Sequence, residues 1–94
     1  MIELGGNIKL IGFNELDHAS LIVVKKITGN YARKMTEKIN SGLDELSLEL
    51  KTESGKNINS SLKVKDKTLR AEVNDVNLFY ALDKVLAKLL NDIN

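Results

Sequence analysis

The sequence predicts an α+β domain of order β-α-β-β-β-α, a four-stranded mixed sheet with two helices packed on one face. Three patterns carry this. Residues 14–40 keep apolar side chains at three- and four-residue spacing, the mark of a helix with one buried side. Residues 46–73 alternate apolar and polar in successive short runs separated by turn residues. Residues 77–93 return to helical spacing with a stronger contrast between sides.

The elements follow in order. Residues 1–6 read as a short N-terminal extension, with Gly5-Gly6 marking a turn or bulge. Residues 7–13 read as a strand, with Ile8, Leu10 and Gly12 on one face and Lys9, Ile11 and Phe13 on the other. Asn14 stands where a side chain can accept from a free backbone N–H of a following helix, and Asp17 favours that helix start. Leu21, Val24, Ile27, Thr28, Tyr31, Met35 and Ile39 then form one stripe, with Lys26, Asn30, Arg33, Lys34 and Glu37 opposite. Gly29-Asn30 is a breaker signal, and a helix-turn-helix pair is the alternative to one helix. The stripe holds phase across it, so one helix is expected, ending at Ser41-Gly42.

Leu46, Leu48 and Leu50 alternate with Glu45, Ser47, Glu49 and Lys51. A loop over residues 53–56 leads to Ile58, Leu62 and Val64 on a second run, and Asp66-Lys67 turns into Leu69, Ala71 and Val73. This is an antiparallel meander with one apolar face. The closing helix buries Leu78, Phe79, Leu82, Val85, Leu86, Leu89 and Ile93, leaving Tyr80, Lys84, Lys88 and Asn91 outside. A right-handed crossover makes the first two strands parallel, and both helices must cover the single apolar face.

Ninety-four residues suit one domain spanning 1–94, and a 43% apolar share supplies one core. The chain has no cysteine, which excludes disulfides and thiolate metal sites. It shows neither a signal-peptide pattern nor an apolar run long enough to span a membrane, so a soluble, cytoplasmic protein is expected. Lys and Arg number 14 against 13 Asp and Glu, so any basic surface must arise by local clustering.

No catalytic constellation is legible. His18, the single histidine, has no partner nearby in sequence and reads as solvated in the first helical turn. Asp75 reads as a capping residue and Asp83 as a solvated helix charge. Ser60-Ser61 lacks a nucleophile-elbow context, Gly5-Gly6 lacks the lysine of a phosphate loop, and no carboxylate cluster has metal-loop spacing. No enzyme activity, metal or cofactor is expected.

The polar stripes are more informative. Lys26, Arg33 and Lys34 form a basic patch on the first helix, and Tyr80, Lys84 and Lys88 another on the last. With the helices side by side, such a surface can neutralise phosphates and offer Tyr80 to a base or sugar. An ordinary solvated face accounts for the same charges. Lys63, Lys65, Lys67 and Arg70 cluster around the last hairpin, where lysine also serves to protect a sheet edge.

The closing segment carries a resemblance. Thr68-Leu-Arg-Ala-Glu-Val73 followed by Asn77, Leu78, Phe79, Ala81, Leu82, Asp83, Lys88 and Leu89 resembles the last strand and helix of the ribosome hibernation-promoting factors, also called ribosome-associated inhibitors. Asn77 stands where that family commonly has an acid. Ile8-Lys-Leu-Ile-Gly-Phe13-Asn-Glu-Leu16 is similar to the opening of small archaeal relatives. The resemblance implies a dsRNA-binding-domain-like fold and a noncatalytic protein that binds ribosomal RNA or structured RNA. It further implies modulation of translation by occupying the small ribosomal subunit. Lys84 and Lys88 match helix positions of the family; Lys26, Arg33 and Lys34 match by location on the first helix. The alternative is a protein-interaction or self-associating domain on the same fold, using the polar sheet face or a strand edge.

Overall fold

A computed structural model describes residues 1–40, 42–53 and 55–93. Ser41 and Ser54, read above as part of a helix stop and a hairpin loop, lie outside the described residues. The elements are β1 (Ile2–Leu4), β2 (Ile8–Ile11), α1 (His18–Ile39), β3 (Glu45–Lys51), β4 (Lys56–Val64), β5 (Lys67–Asp75) and α2 (Leu78–Asp92). The strands form one mixed sheet in the order β1-β2-β3-β4-β5, with β2 and β3 parallel and every other pair antiparallel. Both helices pack on one face of it. No helix among the described residues is long and apolar enough to cross a membrane.

The sheet therefore has five strands, and the expected four-stranded, dsRNA-binding-domain-like topology is corrected. The added strand comes from residues read as an extension. Gly5 and Gly6 both have positive φ, 62° and 82°, and reverse the chain so that Ile2 pairs with Leu10 and Leu4 with Ile8. Three residues are too few to display an alternation in sequence, although Ile2 and Leu4 do face the core.

The register explains the core. Ile8 lies beside Leu46, Leu46 beside Leu62, and Leu62 beside Leu69, so one apolar row crosses four strands. Leu10, Leu48, Ser60 and Ala71 form the next row. The buried Ser60 hydroxyl fits there because it donates to the Ala71 carbonyl at 2.9 Å. Phe13, expected on the outer face, is fully buried instead. Gly12 has φ +81° and breaks the strand alternation, which turns Phe13 inward.

Helix α1 starts later than expected. Asn14 is exposed in a turn closed by Leu16 N–H donating to the Phe13 carbonyl, and Asp17 occupies the cap position. That turn holds Phe13 and Leu16 against the core before the helix begins. The helix runs unbroken through Gly29-Asn30, as the phase of its stripe implied. It ends at Asn40, whose N–H donates to the Thr36 carbonyl in the last helical bond and whose left-handed φ of 64° turns the chain out of the helix. Helix α2 is capped by Asn77, whose side chain accepts from Tyr80 N–H at 3.0 Å, while Asp75 accepts from Asn77 N–H.

Candidate nucleic-acid interface

Two side-chain bonds join the helices across their seam. Tyr31 on α1 donates its hydroxyl hydrogen to the Asp83 carboxylate on α2 at 2.8 Å. Lys38 on α1 donates its ammonium to the Leu90 carbonyl of α2 at 2.9 Å. Both ties join residues 52 positions apart, so advancing along α1 advances equally along α2. The helices thus run parallel, with one side of each turned to a shared seam. The Lys38 tie also sets a cation at the negative end of α2, on a Leu90 carbonyl that accepts from Ile93 N–H as well. Burial, and then the Asp83 acceptor, hold the Tyr31 phenol above its ordinary pKa, so it remains a donor.

The seam orders the cations. The Lys34 ammonium lies 5.1 Å from the centre of the Tyr31 ring, at the junction of the helices. Lys26 and Arg33 are exposed on the outer side of α1, about a quarter-turn further from α2 by helical geometry. On α2, Tyr80 is 52% exposed, and the Lys84 ammonium sits 4.4 Å from its ring centre. Each such contact contributes about 0.5–1 kcal/mol at an exposed site. It also presents a cation and an aromatic face as one unit. Lys88 is exposed, but each i, i+4 step turns about 40° around a helix, which carries Lys88 toward the flank away from α1. By helical geometry Lys34 and Tyr80 lie nearest the seam on their own helices, while Lys84, Lys26, Arg33 and Lys88 lie further round toward solvent.

Charge is distributed unevenly beneath the near-neutral total. Helix α1 carries Lys25, Lys26, Arg33, Lys34 and Lys38 against one acid, Glu37. Many of the balancing acids lie on strands and turns, among them Glu45, Glu49, Asp66 and Glu72. Among the described residues, none of the six predicted site residues takes part in an ion pair; Lys9 and Glu45, at 2.7 Å on the open sheet face, make the one present.

Tyr31, Lys38 and Asp83 are the residues that sequence reasoning missed. Tyr31 sat in the apolar stripe and Asp83 read as a solvated charge. The signal available was their polar ends: a half-buried tyrosine needs a partner for its hydroxyl. His18 is exposed, as expected for a first-turn residue. The open sheet face holds a broad depression of about 470 Å³ around Ser47, Asn59, Ser61 and Arg70. Among the described residues, no group of three or more His, Cys, Asp or Glu side chains converges as a metal site.

No protein-family description matches the chain, and no curated protein matches it in sequence. Solved structures do match in fold. The N-terminal domain of Protein Y from Thermus thermophilus superposes with a TM-score of 0.73 at 22% identity, over 93% of this chain and 94% of that one. A ribosomal subunit interface protein from Coxiella burnetii superposes with a TM-score of 0.66 at 11% identity, over 93% of this chain and 90% of that one. At these identities the likeness establishes a shared fold.

Proposed function

We propose that this chain is a noncatalytic ribosome- or structured-RNA-binding protein that seats the outer surface of its helix pair on RNA of the small ribosomal subunit, thereby modulating translation. The observation that carries the reading is the tied, parallel helix pair. On it Lys26, Arg33, Lys34, Lys84 and Lys88 face solvent without ion-pair partners among the described residues, and each helix sets a lysine over one of its own tyrosines. Cations in such an array displace the counterions condensed on RNA phosphates. Tyr80, half-exposed under Lys84, offers a ring face to a base or ribose. The fold it shares with Protein Y and a ribosomal subunit interface protein supports a ribosomal ligand over other structured RNA. The sequence resemblance to hibernation factors and their small archaeal relatives points the same way.

The test is cosedimentation with small ribosomal subunits across a range of salt. The logarithm of the binding constant should fall linearly with the logarithm of salt, by roughly 0.7–0.9 per phosphate-contacting cation. Replacing Lys84 and Lys88 together by Glu should weaken binding and lower that slope by about 1.5 if both touch phosphate. Tyr80→Ala should cost about 1–3 kcal/mol if the ring stacks on a base. Equal binding by wild type and the double variant, or no binding by either at low salt, refutes the proposal.

A further inference from the structure

The two edges of the sheet differ. One is β1, only three residues long; the other is β5, nine residues from Lys67 to Asp75 with no strand beyond it among the described residues. A long open edge presents unpaired backbone groups that another strand can complete. We infer that β5 pairs antiparallel with β5 of a second copy of this chain, about a two-fold axis at Ala71, to form one continuous ten-stranded sheet.

Backbone parity permits this register. The Lys63 carbonyl accepts from Asp44 N–H at 3.0 Å, so odd-numbered residues of β4 turn their backbone groups toward β3 and even-numbered ones toward β5. The partners of those even residues are Lys67, Leu69, Ala71, Val73 and Asp75. The backbone groups of Thr68, Arg70, Glu72 and Asn74 therefore point out of the open edge. An axis at Ala71 sets Thr68 opposite Asn74 of the second copy and Arg70 opposite Glu72. Every outward donor and acceptor then meets an outward counterpart.

Side chains agree with the same register. Arg70 meets Glu72 and Lys67 meets Asp75, opposite charges in both cases. Leu69 meets Val73 on the helix-side face, where both are half-buried and pairing would cover them further. Ala71, the smallest side chain of the strand, meets itself on the axis. The neighbouring registers of allowed parity place Arg70 on Arg70 or Glu72 on Glu72. Like charges directly opposite are destabilising. The charges on this edge thus disfavour the neighbouring registers and accept this one. Glu72 already receives an Asn57 side-chain N–H at 2.8 Å on one carboxylate oxygen, which leaves the other for Arg70. Among the described residues Arg70 has no ion-pair partner within its own chain.

Sedimentation equilibrium over protein concentrations up to roughly 1 mM tests the pairing. Wild type should show a reversible monomer–dimer equilibrium. Arg70→Glu or Glu72→Arg alone sets like charges opposite at two symmetry-related pairs and should weaken the dimer by roughly tenfold or more. The combined Arg70→Glu/Glu72→Arg variant restores opposite charges and should recover wild-type association to within roughly threefold. Circular dichroism checks that each variant is folded. A second measurement needs no variant: the amides of Arg70, Glu72 and Asn74 should exchange more slowly as wild-type concentration rises. A monomer throughout, a dimer indifferent to both single reversals, a combined variant that stays monomeric, or unchanged exchange at those amides overturns the inference.

Discussion

The bond from Tyr31 to Asp83 ties the two helices together, and removing it should be measurable. In Tyr31→Phe the ring stays, so the Lys34 contact and the half-buried apolar surface are retained while the hydroxyl is lost. Hydrogen bonds to charged groups contribute roughly 1.5–3 kcal/mol. Here Asp83 is exposed and Tyr31 only half-buried, so water competes for both ends and the expected coupling is about 1 kcal/mol. Asp83→Asn keeps the shape and removes the charge, and the double variant closes a cycle that isolates the pair. For a chain of this size, about 1 kcal/mol corresponds to a shift of roughly 4–8 °C in Tm. Urea denaturation of the four proteins supplies the coupling. The pH dependence carries a definite sign. The folded phenol is raised above 10.0, so its contribution is full below the unfolded value and disappears as pH climbs through the folded one. Tyr31→Phe should lack that alkaline loss. A coupling near zero, or an identical alkaline profile in wild type and Tyr31→Phe, refutes the assignment of this bond as the tie between helices.

Two further outcomes test the core. Leu82 is fully buried under α2, so Leu82→Ala should cost roughly 2–5 kcal/mol by denaturant unfolding, and a loss below about 1 kcal/mol would contradict the packing of that helix. Gly12→Ala should be destabilising by at least about 1–3 kcal/mol, because its φ is +81° and a Cβ there would meet the Leu50 carbonyl oxygen at 2.5 Å; wild-type stability in that variant would exclude the inward turn of Phe13.

Period and alternation made most of this architecture legible from sequence. The stripe through Val24, Thr28 and Met35 is local information, and it held across Gly29-Asn30 because one glycine costs only about 1 kcal/mol against a whole buried side. The alternation of Leu46, Leu48 and Leu50 likewise named the buried face, since successive strand residues must point to opposite sides. The start of the chain was less readable. Its strand is too short to show a period, and its partner is chosen by the geometry of Gly5-Gly6. Phe13 faces inward because of one glycine dihedral, which composition does not reveal. The six candidate RNA-binding residues were named from helical position, but their arrangement depends on a seam set by Tyr31, Lys38, Asp83 and Leu90. Sequence by itself determined which side chains are apolar, with what period, and which charges are left over. Only the tertiary structure decided which leftover charges share a surface, because that depends on contacts between residues 52 positions apart, and local patterns carry no record of such pairings.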